Sequence, residues 1–219
     1  MLDLLLPQRC LGCSRPGRQV CDTCAQGLRR IGPPLCARCG APTAWPVERC
    51  RECTGRRLAF SQARAAVEYD EHVRRIVAAW KERGLRRLAA WAADVVAGTI
   101  VPARVNAVVF VPADRDRRLQ RGHHAAERLA RELAAAWSLP VEPVLARTRS
   151  SPRQRGLGQA ERRRNVRGAF RAERAPPLVL LIDDVYTTGA TANAAASALR
   201  RAGARRVEVV TFARAVRLR

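Results

Sequence analysis

From residue 57 onward the chain alternates short apolar runs with stretches of helical periodicity. Leu178–Leu181 followed by Ile182 is an unbroken apolar run, the pattern of a central strand buried on both faces. Val105–Val111 (VNAVVFV) is a second run of this kind, and Arg64–Tyr69, Val141–Leu145 and Val207–Phe212 also read as strands. Between them, Glu71–Glu82, Leu85–Val96, Ala125–Trp137 and Asn193–Arg201 carry apolar residues at helical spacing. Strands alternating with helices predict an α/β domain over residues 57–219, with a mainly parallel sheet and helices on both faces. Ligands of such sheets bind at the carboxyl ends of the strands. Residues 1–56 lack this pattern and hold too few apolar positions for a core of their own, so they form a separate small module.

What those first residues hold instead is cysteine. All eight cysteines lie before residue 54, as the CxxC pairs Cys10/Cys13, Cys21/Cys24, Cys36/Cys39 and Cys50/Cys53. A CxxC turn presents two thiolates to one tetrahedral centre, and two turns complete a Cys₄ site, so two structural Zn²⁺ ions are expected. Metal binding then supplies the folding energy that a core would otherwise give. The simplest pairing is sequential, but the short gap between Cys13 and Cys21 leaves a cross-braced arrangement open. The opening MLDLLLPQRC carries an acid and lacks a basic n-region, so it does not read as a signal peptide. The expected location is the cytoplasm, where reducing conditions favour zinc over disulfides. No apolar run approaches the ~20 residues that cross a bilayer, so no membrane insertion is expected.

Charge adds a second theme. With 41 Lys+Arg against 19 Asp+Glu, the formal charge is +22. Such an excess favours polyanions, including single-stranded DNA, in a salt-sensitive way. The dominance of Arg and Ala fits a GC-rich coding bias equally well. Lys81, in AAWKERG, is the only lysine, and a compact ammonium differs chemically from a guanidinium.

The candidate chemistry concentrates at the end of the Leu178 strand. Asp183 and Asp184 follow the apolar run, and Val185 and Tyr186 lead into Thr187, Thr188, Gly189, Ala190 and Thr191 before the next helix. Loop amides and a helix N-terminus suit a phosphate, and the carboxylates suit hydroxyl groups or Mg²⁺. This is the layout of a sugar-phosphate site. A second loop, Val111–Ala130, crowds Arg115, Arg117, Arg118 and Arg121 at a helix start, suiting another phosphate group or a solvated surface. His123 and His124 beside it read as capping or solvating that start. Arg147–Phe170 is rich in Gly and Arg, fitting either a lid over the site or a track for a nucleic-acid backbone. Trp45, Trp80, Trp91 and Trp137 are possible stacking platforms, though most fall in helical periodicity and read as core. No GxxxxGK[ST] motif occurs, so motor activity would belong to a partner.

DDVYTTGAT resembles the PRPP-binding signature of the type I phosphoribosyltransferases. That resemblance implies that Asp183 and Asp184 hold the ribose 2′- and 3′-hydroxyls while Thr187–Thr191 wraps the 5′-phosphate of Mg²⁺–PRPP. Over essentially its whole length the chain is similar to the ComF family of competence-associated, phosphoribosyltransferase-like proteins, related to GntX-type proteins. The motifs run in the family's order: the CxxC pairs, Tyr69 and Lys81, the loop ending in Arg121-Gly122, then Gln154, Arg162, Asn165 and Gly168-Ala169-Phe170, and finally the acidic strand and its turn. The resemblance implies a phosphoribosyltransferase-like fold behind a double zinc ribbon, and a role in DNA uptake and single-stranded DNA processing beside a competence helicase. It places Lys81, Arg121, Gly122, Arg162 and Asn165 on the pyrophosphate or lid side. His123, His124 and Ala125 depart from the Phe or Tyr, Asn, Gln that the family carries after Arg-Gly. Turnover and the acceptor are left open.

Overall fold

The computed structural model describes residues 8–83, 85, 87–113, 124–148 and 168–216. Arg121, Gly122, His123, Gln154, Arg162 and Asn165 lie outside the described residues, as does most of the expected lid. In chain order the elements are α1 (Asp22–Gln26), β1 (Gln62–Glu68), α2 (Glu71–Arg83), α3 (Arg87–Ala97), β2 (Ala107–Phe110), α4 (Ala125–Ala136), β3 (Ala146–Arg147), β4 (Phe170–Arg171), β5 (Leu178–Tyr186), α5 (Ala190–Arg201) and β6 (Arg206–Arg214). The main sheet has the order β1-β6-β5-β2, and every pairing in it is parallel. The mainly parallel α/β fold expected from the alternation is the one observed.

Period-two alternation sends side chains of each strand to opposite faces. Leu180 and Ile182 of β5, with Val210 and Phe212 of β6, face a core built with α2, α3 and α4 through Ile76, Leu88 and Leu129. Val179 and Leu181, with Val207 and Val209, face the other core, against Ala195 and Leu199 of α5. Burial on both faces is why these strands read as continuous apolar runs.

The cysteine region has no core of its own and shares both of these. Cys10, Val20, Cys24 and Leu28 pack into the α2–α4 side, whereas Cys36, Cys39, Ala41 and Cys53 pack with Leu58 and Phe60 into the α5 side. The polypeptide between the two cysteine groups runs along β1. The Ile31 amide donates to the Ala66 carbonyl at 2.9 Å, and the Glu68 amide to the Arg29 carbonyl at 2.9 Å. The Arg30–Val67 bridge is antiparallel. An otherwise open sheet edge is thereby covered. Farther on, Gly40 (φ +67°) turns so close to β1 that a Cβ there would lie 2.3 Å from the Ala63 carbonyl oxygen.

The expected strand at Val141–Leu145 is not formed. Only Val141 bridges to Val108, in parallel, and the chain becomes extended again as the short antiparallel pair β3–β4. Pro143 interrupts the run and has no amide to donate to a ladder. Elsewhere β5 continues three residues past Asp183, and α5 begins three residues before Asn193.

Candidate functional site

β5 lies between β6 and β2, so its carboxyl end opens at the centre of the sheet. Asp183 pairs in register with Thr211 of β6. Thr187 and Thr188 then enter a turn closed by Gly189, whose φ of +69° is left-handed, and α5 starts at Ala190. The Thr188 hydroxyl accepts from the Ala190 amide at 3.3 Å. Asp183, Val185, Tyr186, Thr187, Gly189, Ala190 and Thr191 line a small pocket here together with Thr211.

Lys81 reaches this end of the sheet from α2. Asp70 starts that helix by accepting the Val73 amide at 2.9 Å, an N-cap bond. Its apolar face seats Trp80 edge-on to Phe212, with ring centroids 6.3 Å apart. The next residue, Lys81, donates from Nζ to Asp184 Oδ1 at 2.8 Å. The Asp184 side chain is 15% exposed, so this pair is far better shielded than an ordinary surface ion pair. Burial works to lower the Lys81 pKa, but the Asp184 carboxylate outweighs it and the net shift is upward. Lys81 therefore stays cationic at neutral pH.

Asp183 behaves differently. Burial first, and then the Asp184 charge, push its carboxyl up to about 7, although Lys81, the Asp184 amide and Arg147 pull it down. The Asp184 amide donates to Asp183 Oδ1 at 2.9 Å. An unfolded aspartate titrates near 3.8, so between that pH and about 7 the native state binds the extra proton. This contribution to stability is present at low pH and is lost as pH rises through the folded value. Asp183→Asn removes the titration. The melting temperature of the variant minus that of wild type should therefore increase between pH 5.5 and 7.5, and a constant difference would contradict the assignment.

Residues that the sequence did not single out complete the turn. Arg214, at the end of β6, is 1% exposed. Its Nη2 donates to Glu52 Oε2 at 2.8 Å, and its guanidinium lies 4.5 Å from the Tyr186 ring centroid. The only signal was an arginine ending an apolar strand. Arg56 donates to the Thr188 carbonyl at 3.0 Å, and Asn193 Oδ1 accepts the Ala59 amide at 2.7 Å. His124 stands at the N-cap of α4 without a side-chain cap bond. It sits 3.7 Å from Glu127 and edge-on to Phe110. Trp80 is core, Trp91 and Trp137 pack partly buried against it, and Trp45 stays 69% exposed.

The cysteines form two groups, Cys10/Cys13/Cys21/Cys24 and Cys36/Cys39/Cys50/Cys53, each with its sulfurs within 4.8 Å of one another. The sequential pairing is the one adopted. Sulfur separations of 3.7 Å (Cys13–Cys21), 3.6 Å (Cys36–Cys53) and 3.4 Å (Cys39–Cys50) are far too long for disulfides. They fit four thiolates around one Zn²⁺, where bonds of about 2.3 Å at tetrahedral angles set sulfurs about 3.8 Å apart. Backbone amides prepare the thiolates: Cys21 N–H donates to Cys10 Sγ at 3.4 Å and Cys50 N–H to Cys36 Sγ at 3.2 Å. Burial alone would raise both thiols, yet the amides of Cys21, Cys13 and Gly12 with the Cys24 thiol bring Cys10 down to about 6. Those of Cys39, Cys50 and Arg38 with the Cys53 thiol bring Cys36 to about 7, whereas burial pushes Cys24, Cys39 and Cys53 up. Four thiolates leave no open coordination position, so the role of both centres is structural.

Among the described residues no helix is long and apolar enough to cross a membrane. Residues 1–54 match the double zinc ribbon domain. The chain is 26% identical to competence protein F of Haemophilus influenzae, with 90% of each chain covered. It is 29% identical to the DNA utilization protein YhgH of Salmonella typhimurium, covering 87% of this chain and 88% of that one. It is 26% identical to competence protein ComFC of Bacillus subtilis, covering 89% and 83%. The chain is thus a homologue of the competence protein F, ComFC and YhgH proteins, with a double zinc ribbon at its N-terminus.

Proposed function

We propose that the β5–α5 turn binds a Mg²⁺-complexed ribose phosphate of the PRPP type, in a cytoplasmic protein that serves DNA uptake and the processing of single-stranded DNA. The observation that carries this reading is the juxtaposition of Asp183 and Asp184 with a left-handed glycine turn opening α5. The amides at the start of α5 suit a 5′-phosphate, with the helix dipole adding to the attraction. The two carboxylates suit the ribose hydroxyls, which would donate to them. Lys81 offsets the Asp184 charge, and the ionised form of Asp183 gains stability once a cation arrives. Mg²⁺ bound with the ligand would neutralise charge on a departing pyrophosphate, with Asp183 and Asp184 as the carboxylates that would stand beside it. If group transfer occurs, the bond from the anomeric carbon to pyrophosphate breaks and a bond to an acceptor nucleophile forms. The names of the homologues, competence and DNA utilization proteins, support the setting. The charge of +22 supports contact with a nucleic-acid backbone.

Calorimetric titration of PRPP with Mg²⁺ into the zinc-loaded protein tests this. Wild type should bind, and Asp183→Asn/Asp184→Asn should bind at least about 100-fold more weakly, since two charge-assisted contacts of ~1.5–3 kcal/mol each are lost. Heat absent from folded wild type would reject the pocket. Salt-dependent single-stranded DNA binding that survives in the double variant would instead favour a non-catalytic DNA-binding or helicase-adaptor role, with the pocket used for ligand sensing.

A further inference from the structure

We propose that Arg56 and Arg214 are positioning residues that make the second Cys₄ centre part of the sugar-phosphate pocket, holding the β5–α5 turn in its ligand-ready shape before any ligand arrives. The proposal rests on the sugar-phosphate reading above for the identity of the ligand, but not for the coupling itself.

The contacts run in an unbroken chain from the sulfurs to the turn. Arg214 donates from Nη1 to the Cys39 carbonyl, and its Nη2 lies 3.7 Å from Cys39 Sγ. The same Nη2 pairs with Glu52, which immediately precedes the ligand Cys53. The opposite face of this guanidinium network is the Tyr186 ring, at 4.5 Å. Phe60 meets that ring edge-on at 6.3 Å, so Tyr186 is clamped between the ribbon and the body. Tyr186 is 3% exposed, and its hydroxyl lies so close to the Gly189 backbone that a Cβ there would be 2.1 Å from it. It is thus the floor of the left-handed turn. Arg56 adds a second connection. It donates to the Glu52 carbonyl at 3.2 Å and to the Thr188 carbonyl at 3.0 Å, bridging the ribbon's last cysteine turn to the pocket loop.

The first Cys₄ centre has no such role among these contacts, because Cys10 and Cys24 pack into the core on the other side of the sheet. Two similar metal centres therefore do different work. Both arginines use the two arms of the planar fork on two different acceptors, Arg214 on the Cys39 carbonyl and Glu52 and Arg56 on the Glu52 and Thr188 carbonyls. A lysine at either position loses the fork and keeps its charge.

The test uses the full chain loaded with zinc, with Arg56→Ala, Arg56→Lys and Arg214→Gln. Zinc content, melting temperature, amide hydrogen exchange at residues 187–191 and PRPP–Mg²⁺ affinity are measured for each. Arg56→Ala should keep two zincs and its melting transition, exchange those amides at least fivefold faster without ligand, and bind about tenfold more weakly. Arg56→Lys keeps the charge but not the fork, so it should recover only part of each effect; full recovery would mean that charge rather than the two-armed bridge holds the turn. Arg214→Gln should show the same exchange signature more strongly; if it fails to fold, the Arg56 pair decides. Exchange and affinity within twofold of wild type in Arg56→Ala would overturn the proposal. If wild type binds no PRPP, the ligand reading fails alone, because the exchange measurement still reports whether the ribbon holds the turn.

Discussion

Gly189→Ala should abolish the proposed ligand binding at the β5–α5 turn and cost about 2–5 kcal/mol of stability. Two effects add. A left-handed φ of +69° costs an alanine roughly 1–2 kcal/mol, a penalty that glycine escapes. The new methyl would also stand 2.1 Å from the Tyr186 hydroxyl and 2.4 Å from its ring carbon Cζ. Forcing extra volume into a packed site costs roughly 1–3 kcal/mol. Tyr186 cannot retreat, because Arg214 and Phe60 hold its ring. The relief available is movement of the turn itself, which displaces the amides of Ala190 and Thr191. Equilibrium unfolding and calorimetry would check both halves. A variant with wild-type stability and affinity would show that the turn is more plastic than its geometry implies.

Cys39→Ser should have a larger effect on the whole molecule. Cys39 is 1% exposed and carries both the metal-facing sulfur and the carbonyl that Arg214 grips. Serine is a poor replacement for a thiolate ligand, and structural zinc contributes on the order of 10 kcal/mol to the folding of small zinc modules. Loss of that centre also strips cover from Leu58, Phe60 and Tyr186 on the α5 side. The variant should retain one zinc instead of two, melt at least about 10 °C lower, and lose the PRPP binding proposed above. Cys13→Ser, at an exposed ligand of the first group, should also lose one zinc but leave exchange at residues 187–191 within twofold of wild type. Equal damage from the two variants would mean that both centres act only as general staples.

Much of the architecture was legible because its causes are local. Strands buried on both faces need continuous apolar residues, and Leu178–Ile182 and Val105–Val111 supply them. The CxxC pairs announce metal at short range. Misreadings arose where a local rule was overridden: Val141–Leu145 has strand composition, but Pro143 denies it a ladder, and β6 runs past Phe212 because Arg214 is neutralised inside the fold. An arginine ending a strand looks like a solvent-facing stop until the partner that buries it is known. Here those partners are Glu52, 162 residues earlier, and the Cys39 carbonyl.

The sequence alone therefore determined the α/β class, the eight cysteine ligands in their CxxC pairs and the acidic strand with its glycine turn, whereas their division into two groups of four came from the tertiary structure. Each is encoded by residue type at fixed short spacing. Tertiary structure decided that Lys81 meets Asp184 across 103 positions, and that the cysteine region divides itself between the two faces of the sheet. It also decided that Arg214 and Arg56 link the second cysteine group to the Tyr186 ring and the Thr188 carbonyl of the turn. Those facts depend on which surfaces meet when the chain folds back on itself, and charge or hydrophobicity at one position carries no information about its distant partner.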